Sequence, residues 1–535
     1  MLIPRKVNVF FNQLNDRRNR FLCTKYLIIL AFLLLALKVY NISVTNYRPY
    51  ERYNAKKTID FRKDITDRHG NILATNLVTY SLYIKAHLIE NKEKFRKVVE
   101  ELFPNSDAEK FKKKLNREKE ALVLLERDIT KQQKERIEQE GFVGVFFHED
   151  VKRVYPHNNL FSHVIGYVDI DENGLTGIEK ALNNDLLTEE SESLVTSLDL
   201  DIQSIVKEEI TKELVKFKAK GAVAVIMDIN NGEILSLVSL PDYDPYSPWI
   251  SLRDKDYNNR ASLNLHEMGS TFKIFTMSLA LEEGLLDLDE EFDVSQPIEI
   301  DRFTITDHST ASEPLTGREV FVKSSNIGTA QIALRLEDKL PIFLSSLNLF
   351  KPLSIEVVEK SRGREPKRWS TARKVTASYG YGVSVTVIHL MQAVASILNN
   401  EQRFHYATLI KGKDTAIEGQ VVSEDTSLKI REIMQQVVLF GTGRRSKSYL
   451  YSLGGKTGTA HKVGISGYDT TRLLSSFISF FPIANPRYII YINYDEPQGI
   501  EETYFYATGG ITAAPATKRI IERIAPLLSI YPDKL

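Results

Sequence analysis

Met268-Gly269-Ser270-Thr271-Phe272-Lys273, running on into Ile274-Phe275-Thr276-Met277-Ser278-Leu279-Ala280-Leu281-Glu282-Glu283, decides the reading of this 535-residue chain. A glycine turn leads into a stretch whose large apolar residues surround the helical axis almost completely, which predicts a buried core helix over 270–283. Residues three apart on a helix share a face, so Ser270 and Lys273 point the same way. A serine hydroxyl is a weak nucleophile until an adjacent base takes its proton. Burial disfavours an ammonium group and lowers its pKa, which suits Lys273 to that task near neutral pH. Backbone N–H groups at the start of the helix are available to a developing oxyanion.

Spacing alone is weak evidence. A second Ser-x-x-Lys, Ser204-Ile205-Val206-Lys207, lies in a charged helical stretch and reads as a solvated face. The copy at 270 differs because two further motifs follow it in order. Ser324-Ser325-Asn326 supplies a hydroxyl able to shuttle a proton and an amide able to hold a peptide carbonyl, and it also suits an N-cap before a helix over 327–336. Lys456-Thr457-Gly458-Thr459, behind Gly454-Gly455, reads as a strand close to bound substrate. There Lys456 brings a charge and the two threonines hydroxyls for a carboxylate, while Gly458 leaves room for a substrate backbone. Each tetrapeptide is common by itself. Their joint occurrence in this order is not.

The three motifs together resemble the Ser-x-x-Lys, Ser-x-Asn and Lys-Thr-Gly set of penicillin-binding proteins and serine β-lactamases. The resemblance to a class B penicillin-binding protein, the monofunctional peptidoglycan transpeptidase of bacteria, extends over roughly residues 55–525. It is carried by Arg62 with Ile65–Asn71, by Arg153-Val154-Tyr155-Pro156, by His163–Tyr167 and by Gly174–Glu179 in the N-terminal half. Farther on it is carried by Thr196–Asp199 with Gln203, by Ser378–Gly382, and by Gly509-Gly510 with Ala513-Ala514-Pro515. Met268 departs from it, standing where many members have proline. Ser-x-Asn and the modest length are more similar to the septal branch than to the elongation branch.

The resemblance implies a D,D-transpeptidase that cross-links stem peptides through an acyl-serine and is acylated by β-lactams. Ser270 would be the nucleophile and Lys273 the base, with Ser324 and Lys456 relaying protons. Asn326 would orient the donor, Thr457, Gly458 and Thr459 would bind substrate, and the N–H groups of Ser270 and Thr459 would form the oxyanion hole. No cofactor is implied. The implied partners are a membrane glycosyltransferase and other division proteins. An elongation-type enzyme, a β-lactamase or carboxypeptidase, and an idle division scaffold are the alternatives.

Composition bounds these readings. Lys+Arg and Asp+Glu balance at 70 each, so no basic excess calls for nucleic acid. Cys23 is the only cysteine, which rules out disulfides within the chain and a cysteine nucleophile elsewhere. The ten histidines include no metalloprotease-type pair, so no metal is expected. Tyr26–Val44 reads as an uncleaved anchor: its apolar core Tyr26–Leu37 ends at Lys38 with no small-residue cleavage site behind it. Arg5, Lys6, Arg17, Arg18, Arg20 and Lys25 ahead of it favour a cytoplasmic N-terminus, and the resemblance implies the inner membrane with the catalytic part periplasmic.

The expected organisation is a tail over 1–25, an anchor over 26–44, a mixed α/β pedestal over 45–195 and a transpeptidase domain over 200–535. Asn46–Lys57 reads as a stalk, and Ile89–Glu140 as charged helix broken at Pro104. Ala222–Asp228 and Ile234–Leu240 flank Asn231-Gly232, a strong hairpin signal, and Ser475–Phe481 and Tyr488–Tyr494 form another strand pair. With helices between them, the nucleophile helix and Thr386–Asn399 included, the class is α+β: an antiparallel sheet flanked by helices. Gly441-Thr442-Gly443-Arg444 lacks the spacing of a phosphate loop.

Overall fold

The computed structural model describes residues 17–45, 61–104, 107–116, 121–188, 192–248, 255–301, 303–308, 313–464 and 467–533. The chain divides into Met1–Asp60 and Phe61–Leu535. In the first unit Arg17–Thr45 (α1) is one continuous helix whose apolar side chains, Leu27 and Phe32 among them, are exposed. Among the described residues no helix is long and apolar enough to cross a membrane. The expected stalk lies outside the described residues.

The second unit begins with a sheet of Ile65–Thr66 (β1), Ile72–Ile84 (β2), Val123–Ile129 (β3), Val145–Val154 (β4) and Leu194–Val195 (β5). Strand β2 is its spine: β1, β3 and β4 pair with it antiparallel, and β5 lies parallel to β1. Helices Lys92–Leu102 (α2), Ala108–Leu115 (α3) and Lys131–Gln139 (α4) contribute Phe95, Val99, Phe111 and Ile137 to its small core. The single charged helix pair expected over 89–140 is therefore corrected, because β3 interrupts it. Val123, Leu125 and Ile129 are buried within Val-Leu-Leu-Glu-Arg-Asp-Ile while its charged residues are not, a pattern hidden by Lys- and Glu-rich flanks.

The N-terminal motifs meet at one buried carboxylate. Glu179 is fully buried, with Arg62 Nε at 2.5 Å from one oxygen and Arg153 Nε at 2.8 Å from the other. Arg62 also donates to Asn183 Oδ1 at 2.9 Å and to the Glu172 carbonyl at 3.0 Å. Asp67 accepts hydrogen bonds from the N–H groups of His69, Asn71 and Leu200. The Ile65–Asn71 motif is thereby fastened to the start of Leu200–Lys216 (α5).

Gly221–Asp228 (β6) and Ile234–Leu240 (β7) form the expected hairpin, and later segments complete the larger sheet. Lys273–Glu282 (α6), Asn326–Leu336 (α7), Val387–Leu398 (α8) and Glu424–Leu439 (α9) precede its remaining strands, Gly454–Gly464 (β8), Gly467–Phe481 (β9) and Tyr488–Asp495 (β10). The order is β8-β9-β10-β6-β7, antiparallel throughout. Alternate residues serve opposite faces: Ala222, Ala224 and Ile226 pack with α5 and Ala513–Ile524 (α10), whereas Val223, Val225 and Met227 pack with α6 and α8. Arg519 and Arg523 of α10 both bind Glu209 of α5, at 2.7 and 2.6 Å, locking the outer helix pair. Ser204 and Lys207 of α5 lie on the side away from this core, where Lys207 pairs with Asp242 at 2.5 Å.

Removing one partner of a buried ion cluster strands the others without counter-charge, at a cost of about 3–5 kcal/mol. Glu179→Ala should destabilise the second unit by that order, read as a lower urea midpoint, whereas removal of the exposed Arg96–Glu93 pair should leave the midpoint almost unchanged. Equal midpoints for the two variants would remove the carboxylate from its central role.

Candidate active site

The helix expected to follow Ser270 starts later than its sequence suggests. Gly269–Phe272 is a tight 3-10 turn, and the α-helix begins at Lys273. Gly269 has φ +55°, and Thr271 Oγ1 donates to the Met268 carbonyl at 2.9 Å, which tightens the chain there. Ser270 is left half-buried on the turn while Lys273 is completely buried. The turn is held from outside by Gly380, with Gly269 N–H donating to its carbonyl at 3.3 Å. A Cβ on Gly380 would lie 2.1 Å from Gly269 O, so nothing larger fits.

In Ser324-Ser325-Asn326 the capping role falls to the middle residue. Ser325 Oγ accepts from Gly328 N–H at 2.9 Å at the start of α7 and donates to Asp307 Oδ2 at 2.6 Å. Asp307 Oδ1 also accepts the backbone N–H groups of Asn326 and Ile327. Because Ser325 and Asp307 satisfy the helix terminus, Ser324 and Asn326 are free to face the lysines. Ser324 has φ +63°, a left-handed conformation that non-glycine residues adopt mainly at sites over-determined by their surroundings.

Both lysines are fully buried and both reach Ser324. Lys456 Nζ is 2.7 Å from Ser324 Oγ; Lys273 Nζ is 2.6 Å from the Ser324 carbonyl, 2.8 Å from Asn326 Oδ1 and 3.3 Å from Ser324 Oγ. Burial, then the neighbouring Lys456, holds Lys273 well below the ordinary lysine value, with Asp307 pulling weakly the other way. Burial pushes Lys456 down to about 7. A neutral amine has two N–H bonds and one lone pair. In a neutral Lys273 the Ser324 carbonyl and Asn326 Oδ1 would take the two donors, and the lone pair would be available to accept a proton.

Lys456, Thr457, Gly458 and Thr459 lie on β8, the edge strand beside the nucleophile turn. An edge strand presents unpaired backbone groups to an extended peptide. Thr457 Oγ1 bonds Thr442 Oγ1 at 2.7 Å, so the Gly441–Arg444 segment steadies this strand. Gly458 also permits a close approach within the protein itself. A Cβ there would sit 2.4 Å from Ser476 Oγ and 3.0 Å from both Met268 O and Thr271 Cγ2. Ser270 on the turn, Lys273 at the start of α6, Ser324 and Asn326 at the start of α7 and Lys456–Thr459 on β8 thus come to one place.

Residues 222–522 match the Transpeptidase family, described as the penicillin-binding protein transpeptidase domain. The chain belongs to the penicillin-binding transpeptidases. Residues 61–213 match the penicillin-binding protein dimerisation domain. The chain is 34% identical to the probable peptidoglycan D,D-transpeptidase FtsI of Caulobacter vibrioides, over 88% of this chain and 82% of that protein. It is 29% identical to the stage V sporulation protein D of Bacillus subtilis, over 88% of this chain and 79% of the other. Penicillin-binding protein 2X of Streptococcus thermophilus has the same fold, with a TM-score of 0.74 and 21% identity over 88% of this chain and 81% of that one.

Two residues of this penicillin-binding transpeptidase site escaped the sequence reading. Asp307 precedes Ser325 by 18 residues that include the helix Gly317–Val322, and Thr442 lay in a segment read only as a failed phosphate loop. Neither had a signal, since each acts through a contact distant in sequence.

The lysine pair should leave a mark on stability. Lys456 is depressed on folding, so the unfolded chain binds more protons between about 7 and the ordinary value of 10.5. Stability should therefore rise with pH across that window, with the cost of burying the charge fully present below about 7. The pH slope of the denaturation midpoint should be shallower in Lys456→Met than in the parent. An identical slope would mean that Lys456 is not depressed.

Proposed function

We propose that this chain is a peptidoglycan D,D-transpeptidase that closes stem-peptide cross-links in septal wall synthesis. One observation carries the reading: two buried lysines converge on Ser324 beside the Ser270 turn. Neutral Lys273 takes the Ser270 proton, and Oγ attacks the penultimate D-Ala carbonyl of a donor stem. Lys456 and Ser324 return a proton to the leaving D-Ala. Asn326 orients the donor along β8, Thr457 and Thr459 hold its carboxylate, and the N–H groups of Ser270 and Thr459 face the oxyanion. The acyl group then passes to the amine of a second stem, and a β-lactam is trapped at the same step. The septal assignment is supported by the likeness to the Caulobacter protein.

The domain plan belongs to this proposal: a tail over 1–25, a membrane segment over 26–44, a pedestal over 45–195 and a catalytic domain over 200–535. The 29-residue α1, with its exposed apolar side chains, supports anchoring in the inner membrane. Lys38 would extend toward the interface on its aliphatic stem. The pedestal then stands on the periplasmic side, where a membrane glycosyltransferase and other division proteins are the expected partners.

Labelled penicillin should attach covalently to the parent and not to Ser270→Ala. Lys273→Arg keeps its charge and cannot release it near neutrality, so acylation should fall by about a hundred- to ten-thousand-fold, the usual contribution of a general base. Labelling of Ser270→Ala would move the nucleophile elsewhere, and an unchanged rate in Lys273→Arg would transfer the base role to Lys456. Rapid turnover of the label would make the protein a β-lactamase.

A further inference from the structure

A carboxylate beside the nucleophile turn has no part in the chemistry above. Glu267 stands three residues ahead of Ser270. Its Oε1 accepts Gly382 N–H at 2.7 Å and the Tyr468 hydroxyl at 3.1 Å. Its Oε2 is buried and has no hydrogen-bond partner among the described residues. An unpaired buried carboxylate oxygen is costly and calls for a reason.

The surroundings are aromatic. Tyr468 meets Tyr381 edge to face, with ring centroids 5.2 Å apart, and Tyr381 in turn lies 5.9 Å from Tyr379. Tyr468 lies on β9 directly opposite Val463 of β8, four positions beyond Thr459, which ties the group to that strand pair. The loop that carries Tyr381 also carries Gly380, which braces the nucleophile turn. The cluster thus lies beside Ser270 and past the end of the Lys456–Thr459 strand segment. Burial raises the pKa of the Glu267 carboxyl, which makes it a better proton acceptor once ionised. Carboxylate and aromatic faces together suit an organic ammonium group.

We propose that Glu267, with Tyr468 and Tyr381, receives the ammonium group of the acceptor stem and takes its first proton. This deepens the transpeptidase reading and rests on it. The acceptor arrives as R–NH₃⁺ and gives one proton to Glu267 Oε2. The neutral amine attacks the acyl carbon; the C–N bond forms and the C–Oγ bond to Ser270 breaks. The second amine proton goes to Ser270 Oγ, and Glu267 releases its proton to water. Glu267 therefore governs the choice between amine and water as acceptor.

The test is partitioning of one acyl-enzyme formed from a peptidyl-D-alanyl thioester, with D-alanine as the acceptor amine. The readout is the ratio of aminolysis to hydrolysis products, which stays readable even when acylation slows. Glu267→Gln should lower that ratio by about tenfold or more, the effect of losing one charge-assisted hydrogen bond, and should raise the half-saturating amine concentration. Tyr468→Phe, which keeps the ring, should shift the ratio less in the same direction, and it decides the matter where Glu267→Gln fails to label with penicillin. Unchanged ratios in a parent that performs aminolysis would overturn the assignment to Glu267 alone. A parent that labels with penicillin yet acylates no amine would overturn the transpeptidase reading as well.

Discussion

Two ammonium groups cannot share a dry site, and the catalytic half of this protein is organised around that constraint. Lys273 and Lys456 are both excluded from water and both bonded to Ser324. Burial disfavours the charge on both, and the neighbouring Lys456 adds to that penalty at Lys273. That requirement explains the supporting parts. Helix α6 must be apolar all round to bury Lys273, β8 must be pinned at the sheet edge to present Lys456, and Asp307 must hold the start of α7 so that Ser324 stays between them.

The pedestal answers a similar electrostatic demand in the opposite way. Glu179 is a buried anion placed between two guanidinium groups from segments far apart in sequence. Such clusters contribute less to net stability than well-packed apolar residues of equal volume. What this one supplies is register: Arg62, Arg153 and the Gly174–Glu179 turn can meet only when β2 and β4 are correctly paired.

Much of this was legible in the sequence because it is local. The β6–β7 hairpin declared itself through Asn231-Gly232 and alternating burial, and α6 through its apolar circumference. The three motifs proposed for the site stood out because the chemistry they resemble needs fixed residue types at short spacing. Strand β3 was hidden because Glu126, Arg127 and Asp128 sit among charged helices, and only its pairing with β2 makes it a strand. The true start of α6 was hidden because Gly269 and Gly380 set it jointly from more than a hundred residues apart. Which serine of Ser324-Ser325-Asn326 caps the helix depended on Asp307, and no local rule could assign it.

The back-to-back glycines at 269 and 380 also limit how this protein can change over generations. Backbone touches backbone there, and Gly458 closes the other side against Met268 and Thr271. No side chain is available at these points to be enlarged, shrunk or recharged. Selection for discrimination between a natural donor and its chemical mimic must therefore work through the residues around the turn, and drift in the lineage is confined to that outer ring.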